Sequence, residues 1–152
     1  MMTEGSIYSG KLHHVGVVVR DMDKAIAHLE SKGFGPFQSL DGAKYATIPF
    51  KGEFRGRPEE WKVKVSNGQM GDALLELLEP CGGKSVLQEF LDTGHEGLHH
   101  IGFLVNDLDG EIARETKGGA RVSTLFRRPS GGGFVYFEPT SVGELIIELR
   151  KL

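Results

Sequence analysis

The chain repeats itself once. Leu12-His13-His14-Val15-Gly16-Val17-Val18-Val19-Arg20-Asp21-Met22-Asp23 aligns without a gap to Leu98-His99-His100-Ile101-Gly102-Phe103-Leu104-Val105-Asn106-Asp107-Leu108-Asp109, 86 positions further on. The match continues through Ile26/Ile112, Ala27/Ala113 and Gly33/Gly119. A second pair closes each half, Asp72-Ala73-Leu74-Leu75-Glu76-Leu77 against Glu144-Leu145-Ile146-Ile147-Glu148-Leu149. Two copies are too few to stack as a solenoid. They predict two fused modules, residues 11–80 and 97–152, inside one domain spanning 1–152, and 152 residues is an ordinary single-domain length.

Each half opens as strand, turn and helix. Val15–Val19 and Ile101–Val105 are short β-branched apolar runs. Asp21 and Asp107 follow as N-caps, because a carboxylate there accepts from the orphan N–H groups of the first helical turn. Met22, Ile26 and Leu29 recur at helical spacing, Leu108 and Ile112 begin the same stripe, and Gly33 and Gly118-Gly119 stop the helices. Further strands are expected at Lys44–Ile48, Trp61–Ser66 and Ala73–Leu78, then at Arg121–Leu125, Phe134–Glu138 and Glu144–Arg150, with a short helix over Ser85–Asp92 linking the halves. The fold class is α+β, two βαβββ modules. The 22 glycines are about 14% of the chain against about 7% in an average protein, so many tight turns are implied.

Composition removes several functions. A net charge of −3 lacks the basic excess of a nucleic-acid binder. No apolar run reaches the roughly 18–20 residues needed to cross a bilayer, so no membrane role is expected. Residues 1–11 are polar with no apolar stretch of an export signal, and the single cysteine, Cys81, cannot form an internal disulfide; both suit a cytoplasmic protein. Cys81 lies in a Pro/Gly turn with no activating partner and reads as inert.

Strand alternation sorts the polar side chains. On the first strand His14, Gly16 and Val18 share one face; His13, Val15, Val17 and Val19 share the other, which should cover the helix. His100 falls with Gly102 and Leu104 by the same count. On the closing strands Glu76 and Glu148 point away from their Leu and Ile neighbours. A charge flanked by Leu and Ile is costly unless paired or metal-bound. The same exception arises in both halves, so two imidazoles and two carboxylates can meet as an N/O site for Zn, Ni, Co, Mn or Fe(II). His13 and His99 read as structural. Gly83-Lys84-Ser85 lacks the earlier glycine of a phosphate loop, Gly131-Gly132-Gly133 reads as a hairpin hinge, and Phe103, Trp61, Phe126 and Phe137 read as core or dimer contacts.

The doubled His-His-(Val/Ile)-Gly openings and the Leu-Leu-Glu-Leu and Ile-Ile-Glu-Leu endings resemble the vicinal oxygen chelate superfamily, the glyoxalase/bleomycin-resistance fold. Gly97-Leu98-His99-His100-Ile101-Gly102-Phe103 and Arg128-Pro129-Ser130-Gly131-Gly132-Gly133-Phe134-Val135-Tyr136-Phe137-Glu138-Pro139 are similar to segments of methylmalonyl-CoA epimerases and glyoxalase-like proteins. The resemblance implies a cupped eight-stranded mixed sheet, a homodimer, and His14, Glu76, His100 and Glu148 as metal ligands. Glu76 stands where the epimerases usually have Gln and resembles bacterial glyoxalase I. Their additional carboxylate base has no match near Tyr45–Pro49. A polar insertion, Lys51–Glu60, reads as a surface loop or a substrate lid.

The expected activity is divalent-metal-dependent proton transfer next to a carbonyl, with Glu148 as base and Glu76 opposite, on an acyl-CoA thioester (epimerase-like) or a thiol adduct (glyoxalase I-like). Two alternatives stand beside it. One is an Fe(II) extradiol-type dioxygenase using His14, His100 and Glu148; the other is a non-catalytic small-molecule binding or resistance protein.

Overall fold

A computed structural model describes residues 10–140, 143 and 145–152. The first module runs β1 (Lys11–Val18), α1 (Met22–Ser31), β2 (Ala46–Phe54), β3 (Arg57–Met70) and β4 (Ala73–Gly83). A linking helix α2 (Val86–Asp92) leads to β5 (Gly97–Leu104), α3 (Leu108–Lys117), β6 (Val122–Arg127), β7 (Gly133–Phe137) and β8 (Ile147–Lys151). Both modules are therefore βαβββ. Glu144, at the expected start of the last strand, lies outside the described residues. No helix among the described residues is long and apolar enough to cross a membrane.

The caps form where the residue types demand. Asp21 accepts from the Lys24 N–H at 3.1 Å, Ser85 from Gln88 at 3.1 Å and Asp107 from Gly110 at 3.0 Å. Gly33 and Gly119 follow α1 and α3 in the left-handed region, which an L side chain resists. Met22 and Ile26 of α1 pack on Leu75 and Leu77 outside the sheet; Leu108 of α3, with Ile112 beside it, packs on Val135, Phe137 and Leu149. The helices thus cover the Val- and Leu-rich strand face, and the alternate residues turn inward.

The sheet closes on itself in the order β1-β4-β3-β2-β6-β7-β8-β5. Within each module the first strand pairs parallel with the last, β1 with β4 and β5 with β8. The modules meet at an antiparallel seam, β1 against β5. The second seam, β2 with β6, joins only Glu53 to Leu125 and Phe54 to Thr124 in register. This corrects the reading of Lys51–Glu60 as a loop or lid. Those residues are strand, turning at Arg55-Gly56, where both φ angles are positive as a two-residue hairpin turn requires. Arg55 then fixes the tip through Glu138 at 2.7 Å and Glu89 of α2 at 2.8 Å.

The cup is not hollow throughout. Leu87 and Leu91 of α2 pack with Val18, Trp61, Val63, Leu78, Phe134 and Tyr136, and Phe50 and Phe126 add to that cluster. Phe103 and Phe137 instead serve the outer layer under α3. Beside Arg150 the interior leaves a cavity of about 30 Å³, room for about one water.

At the β1/β5 seam each glycine makes room for a histidine of the other module. His14 lies opposite Gly102 and His100 opposite Gly16. A Cβ built on Gly16 would lie 2.1 Å from the His100 ring, and one on Gly102 2.1 Å from the His14 ring. We expect Gly16→Ala and Gly102→Ala each to destabilise the protein by about 1–3 kcal/mol through overpacking. Gly82→Ala, whose new methyl meets nothing closer than 3.8 Å, should change stability by no more than about 0.5 kcal/mol. Urea denaturation of the three variants checks the contrast.

Candidate metal centre

His14 from β1, Glu76 from β4, His100 from β5 and Glu148 from β8 converge inside the barrel. Their relative exposures are 0%, 3%, 1% and 0%. One donor atom from each lies within 4.8 Å of every other. Strand register accounts for the convergence: Glu76 stands beside Gly16 and Glu148 beside Gly102, so each carboxylate sits next to the glycine that the opposing imidazole overlies. The two Nε2 atoms are 3.1 Å apart. His14 Nε2 is 3.7 Å from Glu76 and 3.4 Å from Glu148, and His100 Nε2 is 3.6 Å from Glu148.

Those separations suit a divalent ion. Bonds of about 2.0–2.2 Å place neighbouring donors roughly 3.0 Å apart in an octahedron and 3.4 Å apart in a tetrahedron. The second clue is Asn67, which faces Glu76 across β3 and β4. Among the described residues its Oδ1 is a buried side-chain oxygen without a hydrogen-bond partner. A buried orphan oxygen on the cross-strand neighbour of Glu76 calls for a partner that the protein itself does not supply. The four residues could hold a metal ion.

Arg150, His13 and His99 also lie at the centre, though the sequence reading did not draw them into it. Arg150 lies two residues beyond Glu148, hence on the same strand face. Its Nε donates to Glu148 at 2.9 Å, and Nη1 approaches Glu76 at 3.5 Å. His13 and His99, expected as structural residues on the helix side or at the strand margin, hydrogen-bond to the site histidines: His13 Nδ1 to His14 Nδ1 at 2.8 Å and His99 Nδ1 to His100 Nδ1 at 2.9 Å. The seam explains the discrepancy. Leu12 pairs with Phe103 and His14 with Gly102, so His13 is an extra residue on β1; Gly16 pairs with His100 and Val17 with Leu98, so His99 is extra on β5. Each is a β-bulge, which breaks strict alternation and re-aims a side chain.

Burial and charge set the protonation states. Burial pulls His14 down, but its hydrogen bond to Glu148 and the charges of Glu76 and Glu148 outweigh that and raise it above the ordinary value. His100 falls to about 4, chiefly by burial, with Glu148 opposing and His14 adding to the fall. His99 falls to about 3 through burial and the neighbouring His100. Glu148 resists its own burial, and Arg150 with His14 holds it well below the carboxylate range. Arg150 offsets one of the two carboxylates, and His14 offsets the other when it holds its proton.

A pH signature follows for the metal-free protein. Unfolded, each histidine takes up a proton near pH 6.5, about the free imidazole value. Folded, His99 and His100 refuse it down to about 3 and 4. Between those limits the unfolded chain binds more protons, and stability falls as pH falls. His14 works oppositely: the folded protein keeps its proton above that value, and this contribution is lost as pH rises through the raised pKa. In chelator, the melting temperature should therefore peak near pH 6.5, about the unperturbed value, and decline on both sides. A profile that climbs steadily through neutrality would contradict the assignment.

Relatives place the chain. Residues 13–137 match the Glyoxalase/Bleomycin resistance protein/Dioxygenase superfamily. The chain is 32% identical over 93 residues to the uncharacterized protein YqjC of Bacillus subtilis, covering 60% of this chain and 66% of that protein. It is 25% identical over 154 aligned positions to the mitochondrial methylmalonyl-CoA epimerase of Homo sapiens, covering 97% of this chain and 77% of that one. The crystal structure of methylmalonyl-CoA epimerase from Mycobacterium tuberculosis shares the fold, with a TM-score of 0.64 at 24% identity over 99% of this chain and 92% of that chain. Duplicated modules, a barrel joined by their first strands and a matching profile over most of its length agree: the chain belongs to the glyoxalase/bleomycin resistance protein/dioxygenase superfamily.

Proposed function

We propose that this protein is a divalent-metal-dependent enzyme that removes and returns the proton on a carbon next to a carbonyl, acting on an acyl-CoA thioester. The observation that carries the proposal is the buried quartet of His14, Glu76, His100 and Glu148, with donor atoms within 4.8 Å of one another. Similarity to the human epimerase supports the reaction class. A divalent ion held there supplies Lewis-acid stabilisation of the negative charge that develops on a carbonyl oxygen.

The protein groups divide the remaining work. Glu148 is tied to Arg150 at 2.9 Å and held strongly acidic, which makes it the weaker base. Glu76 makes only longer contacts, 3.5 Å to Arg150 and 3.7 Å to His14. We therefore assign proton removal to Glu76. It also stands where the epimerases usually carry Gln, in a chain with no match to their additional carboxylate. Glu148, from the opposite module, relays a proton taken up from water to the other face while Glu76 releases to water the one it removed, so the C–H bond broken on one side is remade on the other. Two carboxylates, a dication and Arg150 sum to one positive charge, which an enolate formed from the thioester neutralises.

The carboxylate at Glu76 also favours a second reading, isomerisation of a thiol–aldehyde adduct by the same proton transfer. It disfavours the dioxygenase reading, because a fourth protein donor occupies a position that oxygen or substrate would need. Cobalt- or zinc-loaded protein in D₂O should incorporate deuterium at the α-carbon of branched acyl-CoA thioesters, and glutathione hemithioacetals are the competing panel. Glu76→Gln and Glu148→Gln should each slow exchange by about 10²–10⁴-fold, the usual contribution of a positioned acid or base. Full exchange in Glu76→Gln would remove it as the base, and exchange in neither panel would overturn the proposal.

A further inference from the structure

We propose that His13 and His99 are positioning residues: each accepts the Nδ1 proton of the histidine that follows it, so that both site imidazoles present a bare Nε2 to the same point. This rests on the metal-centre reading above, and three observations carry it. First, the two residues are the extra members of two β-bulges in one seam, at equivalent places in the two modules. A bulge breaks the ladder, and here each break does the same thing, bringing the ring of one residue alongside the next. Second, the contacts are hydrogen bonds in length, 2.8 Å for His13 to His14 and 2.9 Å for His99 to His100, with nearly perpendicular ring pairs in both modules.

The third observation is the facing pair of Nε2 atoms, 3.1 Å apart, with Glu148 on both. A neutral imidazole carries one ring proton, on either nitrogen. Were both rings protonated on Nε2 alone, two N–H groups would point at one another. With both protonated on Nδ1, two lone pairs face inward and call for one positive centre between them, a proton or a metal ion. In the proposed arrangement His13 and His99 each offer an acceptor nitrogen at the Nδ1 side and keep their own proton on Nε2, which selects the second case. A ligating histidine commonly gives that proton to a carboxylate or a carbonyl. An imidazole acceptor does it here without adding a third negative charge beside Glu76 and Glu148.

The test uses His13→Phe and His99→Phe, which keep a ring but remove the acceptor, and His13→Asn and His99→Asn, whose amide oxygen restores one. Zinc or cobalt affinity of the folded, metal-free variants is read by competition with a chromophoric chelator. Each Phe variant should bind about 10–100-fold more weakly, the usual effect of losing such a partner, and each Asn variant should recover most of the loss. Ring-nitrogen NMR of the metal-free wild-type protein at neutral pH supplies a readout that needs neither metal nor variant: His100 should carry its proton on Nδ1. In His99→Phe the Nδ1 proton loses its acceptor, and the fraction of His100 protonated on Nε2 should rise. A wild-type His100 protonated on Nε2 would overturn the proposal, as would Phe variants that fold and bind metal as the wild type does. Should the wild type bind neither zinc nor cobalt, the metal reading fails, and the position of the His100 proton still decides the role of His99.

Discussion

The seam between the two first strands is the constraint from which the rest of the site follows. Two strands can bring imidazoles face to face only if the residue opposite each imidazole has no side chain. Gly16 and Gly102 satisfy that condition, and any larger residue would occupy the space of the opposing ring. The parallel partners β4 and β8 then place Glu76 and Glu148 beside those same glycines. One backbone register therefore assembles four donors from four strands. The local pattern of a histidine two residues before a glycine, repeated in both modules, is the economical way to write it.

Charge is the second organising term. Two carboxylates with almost no exposure are tolerable only if opposite charges accompany them, because an unpaired buried ion is strongly destabilising. Arg150 supplies one such charge from within its own strand, and His14 supplies the other as long as it keeps its proton. A dication replacing that proton leaves the interior one unit positive. That balance would suit the proposed chemistry, in which negative charge grows on a substrate oxygen. The aromatic and aliphatic packing under α2 lowers the local polarity and strengthens each of these interactions.

Much of this was legible in the chain. The duplication predicted two βαβββ units, the Asp21 and Asp107 caps predicted where α1 and α3 begin, and period-two alternation sent His14, Glu76, His100 and Glu148 to one face. Alternation also contained Arg150, which shares parity with Glu148 but was not drawn into the site. It failed at His13 and His99, because a bulge is a property of two paired strands and neither strand shows it alone. It failed again at Lys51–Glu60. The polar composition of that segment suggested a loop, whereas every second residue of β2, through Ile48, Phe50 and Gly52, is the less exposed one.

Local chemistry, read along the chain, decides which residues cap, turn, alternate and repeat, since those preferences act within a few residues. It therefore carried the module architecture and the identity of the four donors. Only tertiary structure decided that the sheet closes through β2 and β6, that α2 fills the interior, and that two extra histidines lie behind the first two. Each of those outcomes depends on pairing between segments far apart in sequence, where register and packing compete across the whole molecule and no single stretch holds the answer.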